Sequence, residues 1–419
     1  MPRWFYVLLI FSIAAPVLAV FHAPPLLLFP IAGLGILPLA ALIGTSVEHI
    51  AEHTGEQVGG ILFATFGNAT ELIIGIFALS QGLVDVVSAS IIGSILGNAL
   101  LVLGVAVCVG SAKHGRLQFE ARSASVYASL LALCIGGLIL PTVAELLAAR
   151  GHQPQIFERG VALSDFIAVL LLLGYLASLL FSVFHLGDKG GEEGVEPLMG
   201  ARSAAAITRL LAYRQQLVTS AVRGKSGVLN QIDDTVDAIL AHERQQQAKS
   251  SQGESARQAA SQQERTLPLW RALLLLAVAT VGVAVLSELL VSSIEPVTEA
   301  LHWKPAFVGL IFIPLIGGLP EYFNTISMAL DKRINMVLAA SAGSSIQIAL
   351  LMAPILVLVS LLMPKHLDLV FSLVELAVLA LATFLFGEIT KDGELVWLEG
   401  VLLILLYVMM AGTVFVFGS

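Results

Sequence analysis

The sequence predicts an all-α, polytopic membrane protein of about 11 transmembrane helices, built as two inverted five-helix repeats. Three observations predict it. Of 419 residues, 57% are hydrophobic and 12% charged, whereas a soluble globular chain runs at roughly 45–50% and 25%. Apolar runs of about 20 residues, enough for a helix to cross a ~30 Å hydrocarbon core, recur along the chain and lift the mean hydropathy to +0.90. The two halves also match each other at a constant offset of 250 residues. This composition excludes a cytosolic enzyme, and a formal charge of −8 leaves no basic surface for nucleic acid. Cys108 and Cys134 sit inside apolar runs and read as small core residues, not as a disulfide or a zinc site.

The spans read as about 4–21, 25–43, 57–80, 85–110, 122–147, 161–185, 269–291, 305–330, 334–361, 367–387 and 396–417. Residues 1–22 form the first helix, which also reads as a signal peptide with a cleavable Val17-Leu18-Ala19 stretch. Residues 23–186 form the N-terminal repeat and 269–419 the C-terminal repeat. With the N-terminus inside, eighteen of the twenty-two basic residues fall on the cytoplasmic side, as the positive-inside rule asks. Eleven of them run from Lys189 to Arg271, in the long loop and just after it, where they weigh less, and the remainder still divide seven to four. That loop, 187–268, is a cytoplasmic linker with two helical stretches, one striped by Ile207, Leu210 and Leu211, the other by Leu229, Ile232, Val236 and Ile239. A polar run follows them. The linker reads as a tether between membrane halves, with a regulatory or dimerising helical hairpin as the alternative.

Laid over 308–351, residues 58–101 are identical at thirteen of forty-four positions, among them Gly67/Gly317, Glu71/Glu321, Gly93/Gly343 and Ser94/Ser344. Units with an odd number of spans must run in opposite senses, which is the inverted repeat of secondary transporters, with the substrate near the midplane. Glu71 and Glu321 are the charges at that midplane. A charge there costs at least about 2.5–3.5 kcal/mol, so a solitary carboxylate must be protonated or paired. No intramembrane Lys or Arg is available to either. Gly67 precedes one glutamate, and Gly317, Gly318 and Pro320 precede the other; these residues weaken helices and free backbone carbonyls. One helix later, Ser94 and Asn98 in the first copy, and Ser344 and Gln347 in the second, add oxygens. With backbone carbonyls, the two carboxylates, two hydroxyls and two amides form an all-oxygen shell suited to a hard cation such as Ca²⁺, which takes six to eight oxygen ligands. Charge balance then couples cation loading to proton release at the two carboxyls.

At these residues the sequence resembles the cation/proton exchanger (CAX) family of the calcium/cation antiporter superfamily. Gly59 to Gly104 is similar to the family's first signature repeat, ALDKRINMVLAASAGSSIQIALLMAP to the second, and DGELVWLEGVLLILLYVMMAG to its final helix. The resemblance implies Ca²⁺/H⁺ antiport in a bacterial-type inner membrane, an eleven-helix fold and no cofactor beyond the transported ions. It also implies cation-site roles for Asn68, Glu71, Ser94, Asn98, Glu321, Ser344 and Gln347. The chain departs where the family usually carries Gly-Asn-Ala-Ala-Glu-His, having Gly317-Gly318-Leu319-Pro320-Glu321-Tyr322 instead, and Phe63 stands where Asn is common. Pro320-Glu321 is similar to the Leu-Pro-Glu core of sodium/calcium exchangers, so Na⁺/Ca²⁺ or Na⁺/H⁺ exchange stays open, as does Mn²⁺ as a substrate. Oligomeric state is not legible.

Two weaker signals remain. His49-Ile50-Ala51-Glu52-His53 matches the HxxEH zinc-peptidase pattern, a membrane metallopeptidase being the remote alternative. Glu48, Glu52 and Glu56, read as a loop after the second span, would otherwise attract cations to the cytoplasmic mouth. A channel is the alternative among transport proteins, and the inverted repeat favours alternating access.

Overall fold

The computed structural model describes residues 7–150, 160–184 and 267–417. The expected helices within the linker lie outside them. The chain is helical almost throughout: α1 (Leu9–Val20), α2 (Pro25–Thr54), α3 (Glu56–Phe66), α4 (Ala69–Ser80), α5 (Val84–Leu96), α6 (Leu103–His114), α7 (Ala121–Arg150), α8 (Gly160–Phe184), α9 (Leu269–Ser292) and α10 (Ile294–Leu301). They are followed by a helical turn Pro305–Phe307, then α11 (Ile313–Leu330), α12 (Ile334–Gln347), α13 (Ala353–Ser360), α14 (Leu373–Ile389) and α15 (Trp397–Phe417). Three π-helical segments, Gly97–Val102, Val308–Phe312 and Ile348–Met352, join these pieces without ending the rod.

Among the described residues, eight helical rods are long and apolar enough to cross a membrane, and the protein is a multi-pass integral membrane protein. The other three expected spans differ. In the first, the described helix is the twelve-residue α1. The third, 57–80, is broken at Gly67-Asn68 into α3 and α4. The tenth is the seventeen-residue α14, which starts only at Leu373. Its start is fixed by a capping box in which the Ser372 hydroxyl accepts from the Glu375 amide and the Glu375 carboxylate accepts from the Ser372 amide. The segment before it is tied down, with Leu369 N–H donating to Ser164 and Phe371 N–H to Thr142.

α2 runs eleven residues past the expected end of its span, to Thr54. Ile43, Val47 and Ile50 keep one face buried, and nothing stops the helix before Gly55 at φ 88°. Glu48 and Glu52 therefore ride the exposed face of a helix, not a loop; Glu56 opens α3.

The bundle is held by close helix contacts at glycines, as expected where lipid supplies no hydrophobic drive and packing must do so. α2 and α9 lie along each other, and a Cβ at Gly282 would stand 2.8 Å from Leu39. Gly104 of α6 and Gly400 of α15 cross so that a Cβ on either would reach the other's carbonyl oxygen at 2.8 and 2.7 Å. Tightest is the crossing of α5 with the 308–312 segment. A Cβ at Gly93 would lie 2.1 Å from the Leu310 carbonyl, and one at Gly309 would lie 2.3 Å from that of Val86. Trp303 stacks on Phe312 at 5.2 Å and Phe307 meets Phe415 edge-on at 4.9 Å at this same end. The opposite end is looser. Among the described residues, α3 packs on α2, α4 and α8, not along α12, and a Cβ at Gly343 would meet nothing within 4 Å.

One small sheet pairs Leu117–Gln118 (β1) antiparallel with Glu394–Leu395 (β2), binding the α6–α7 loop to the α14–α15 loop. Leu117 and Leu395 are fully buried there, and Arg116 pairs with Glu394 at 3.3 Å.

Candidate cation-binding site

The site forms where the helix breaks. Gly67 and Asn68 form a turn, and α4 restarts at Ala69 with Glu71 in its first turn. A helix start presents unpaired amides and a partial positive charge, a favourable setting for a carboxylate. Asn68 occupies the N-cap position but makes no capping bond. Its amide instead reaches across the bundle, Nδ2 donating to Gln347 Oε1 at 3.1 Å. Glu71 is 3% exposed, with Asn68, Ser94 and Asn98 also buried around it.

The second glutamate sits differently. Gly317, Gly318 and Pro320 do not break α11, which runs unbroken from Ile313 to Leu330 and correctly carries Pro320 inside it. The irregular backbone lies one turn upstream, in the π segment Val308–Phe312. The glycines serve close approach instead. A Cβ at Gly317 would lie 2.7 Å from Glu71 Cγ and 2.8 Å from its Cδ, so the glutamate fits only because residue 317 has no side chain. Gly318 has ordinary room, 3.5 Å from Glu71 Oε1. Glu321 is half-buried and accepts a hydrogen bond from Ser344 Oγ at 2.9 Å; the Asn98 side chain also interacts with it. Glu71 and Glu321 lie close enough to feel each other's charge. None of the described ion pairs involves either.

Three buried side-chain oxygens here have no hydrogen-bond partner: Asn68 Oδ1, Glu71 Oε2 and Ser94 Oγ. Leaving a buried polar atom unpaired costs about 1–3 kcal/mol, so three in one place call for an explanation. Two of them, Glu71 and Ser94, line a small cavity together with Gly97, Asn98, Pro314, Gly318 and Tyr322. A larger groove of about 500 Å³ between α7 and α14 is lined mainly by small and apolar side chains, and its only carboxylate, Glu388, is paired with Lys391.

The seven oxygen-bearing residues singled out in the sequence fall into three sets: Glu71, Ser94 and Asn98 line the cavity, Asn68 pairs with Gln347, and Glu321 pairs with Ser344. Two contributors were not legible beforehand. Ser341 donates to the Asn98 carbonyl at 2.6 Å, holding α12 against the π segment whose widened turn frees that oxygen. Tyr322 lines the cavity. The remote zinc pattern does not assemble: His49 Nδ1 pairs with Glu52, His53 Nδ1 with the His49 carbonyl, and no metal-holding cluster occurs among the described residues.

The sodium/calcium exchanger protein family matches residues 24–184 and 271–416. A Ca(2+)/H(+) antiporter of Synechocystis sp. is 34% identical over 91% of this chain and 89% of its own. Ca(2+)/H(+) antiporter ChaA of Bacillus subtilis is 30% identical over 98% of each. Among solved structures, native YfkE is similar with a TM-score of 0.71 at 28% identity, covering 98% of this chain and 99% of its own. With the family matched on both sides of the linker and relatives aligned along nearly the whole chain, this protein belongs to the sodium/calcium exchanger family of membrane transporters.

Proposed function

We propose that the protein is a secondary antiporter exchanging Ca²⁺ for H⁺ by alternating access, with Glu71 and Glu321 binding cation and protons in turn. It is a transporter, not an enzyme, and uses no cofactor beyond the ions it carries. One observation carries the reading: neither carboxyl has a basic partner among the described ion pairs, and three buried oxygens in this region, one of Glu71 itself and one each of Asn68 and Ser94, lack hydrogen bonds. An oxygen-only shell of this size suits Ca²⁺, which binds six to eight oxygens in flexible geometry. The names of the relatives on both sides of the comparison agree with it. A bacterial-type inner membrane, with the N-terminus inside, is the setting that the basic residues favour.

The mechanism follows from charge. Bringing Ca²⁺ to two neutral carboxyls requires their protons to leave, and removing it from two carboxylates requires protons to return. Asn68, Ser94, Asn98, Ser344 and Gln347 supply neutral oxygens that serve both states. Alternating access is supported by the unequal ends of the bundle. Gly93 and Gly309 close one end on backbone carbonyls, whereas their partners at the 250-residue offset, Gly343 and Gly59, do not close on each other's helices. On the proposed orientation the closed end is external and the site opens toward the cytoplasm. The π segments Gly97–Val102 and Ile348–Met352 fall at matching places of the same offset, which favours two inverted repeats.

The test uses protein in liposomes carrying a pH-sensitive dye, challenged in turn with Ca²⁺, Mn²⁺, Na⁺ and K⁺. Proton release driven by Ca²⁺ and abolished in both Glu71→Gln and Glu321→Gln is the expected result. A response to Na⁺ alone, or Ca²⁺ movement driven by Na⁺ without protons, would replace this reading with a sodium-coupled one.

A further inference from the structure

The two halves of the site are not equal in oxygens. On the first-half side, Asn68 lies three residues before Glu71 and offers an unpaired buried oxygen. Its partner at the 250-residue offset is Gly318, three residues before Glu321, which has no side chain to offer. The ring of Tyr322 fills the space this leaves: its Cε2 lies 3.6 Å from where a Cβ at Gly318 would stand. At its other end the hydroxyl lies 3.5 Å from where a Cβ at Gly97 would stand, so the ring spans from Gly318 to Gly97 at ordinary contact distance. Tyr322 lines the same cavity as Glu71, Ser94 and Asn98. Tyr322 corresponds to Leu72 in the first half, where Asn68 makes such an oxygen unnecessary.

We infer that Tyr322 is a further ligand of the transported divalent cation, its hydroxyl standing in for the side-chain oxygen missing at Gly318. The inference rests on the exchange reading above and adds a residue to its site. A phenol keeps its proton through the physiological range. It therefore adds one neutral oxygen to the cation without joining the proton count, turning a lone pair to the cation when it is present. Such a ligand raises Ca²⁺ affinity and favours an ion that accepts a large shell, Ca²⁺ over Mg²⁺.

Ca²⁺ alone is the probe, with full-length purified protein. Its dissociation constant is measured by titration calorimetry at one pH and proton release in liposomes, for wild type, Tyr322→Phe, and Gly318→Asn combined with Tyr322→Phe. Phenylalanine keeps the ring against Gly97 and Gly318 and removes only the oxygen. The expected result is a rise of about tenfold in the Ca²⁺ dissociation constant, the scale of losing one supporting group at a metal site. Melting temperature stays unchanged, and proton release half-saturates at a correspondingly higher Ca²⁺ concentration. Asn at 318, whose Cβ has ordinary room, then restores most of the affinity. A Tyr322→Phe constant equal to wild type, a weakening that comes with a lowered melting temperature, or no recovery in the double variant overturns Tyr322 as a ligand. Wild-type protein that neither binds Ca²⁺ nor releases protons overturns the exchange reading itself, so the two failures are told apart.

Discussion

Gly317 and Gly318 are adjacent, both buried, and carry different burdens. A methyl group at 317 would drive into Glu71 at 2.7 Å, whereas one at 318 meets only ordinary contacts. Overpacking of this kind costs typically about 1–3 kcal/mol when it can be absorbed by shifting a side chain, and here the side chain that must shift is the one proposed to bind the cation. Gly317→Ala is expected to weaken Ca²⁺-driven proton release by tenfold or more, in line with that cost, while Gly318→Ala stays near wild type. Equal activity of the two variants in the liposome assay would sink the close-approach argument. Glu71 and Glu321 were legible because a carboxylate in an apolar run has no cheap explanation. The purpose of the glycines was not. Their spacing suggested a helix break, and only the fold brings residue 317 against residue 71, a contact that no local pattern encodes. Tyr322 was hidden for the same reason, since a tyrosine beside a glutamate reads as a departure from a motif until its ring is seen to occupy the room left at Gly318.

Helices and their junctions carry the motion that exchange needs. The Gly93 and Gly309 crossings leave no space for any side chain, whereas Gly343 at the other end has nothing within 4 Å of its Cβ position and Gly59 is crowded only by Ala51 of the neighbouring α2. A leucine at 343 fits the present arrangement but would obstruct closure of α3 on α12. Gly343→Leu is therefore predicted to keep Ca²⁺ binding and lose most turnover. Comparing equilibrium Ca²⁺ binding with the exchange rate checks this, and a variant that exchanges at the wild-type rate would refute it. Most helices could be read from apolar runs because length and hydropathy are local. Their joints could not: the π segments preserve the apolar pattern while changing the backbone, and the true start of α14 depends on Ser372 and Glu375 bonding to each other's amides.

For the whole molecule, the coupling of ions is a statement about proton number. Protons and Ca²⁺ compete for the same carboxyls, so a lower pH raises the Ca²⁺ concentration needed for half-saturation, and a higher pH lowers it. If both carboxyls empty on loading, about two protons leave per Ca²⁺. Proton release in weakly buffered solution measures this number directly, and none released would end the charge-balance mechanism. The linker stands apart from this exchange core, because the family match stops at 184 and resumes at 271. Replacing residues 190–262 with a short flexible tether is expected to leave Ca²⁺/H⁺ exchange intact, as the same liposome assay would reveal; loss of exchange with normal folding would assign that segment a direct part in transport.

The small β1–β2 clasp has a practical consequence. It fastens a loop of the first half to a loop of the second, with Leu117 and Leu395 sealed beneath it and α6 locked on α15 through Gly104 and Gly400 nearby. A reporter pair on Gln118 and Glu394 would hold one separation through every turnover, while a pair spanning α3 and α12 would not. The molecule thus carries its own fixed ruler, against which the travel of its gates can be read in a single labelled sample.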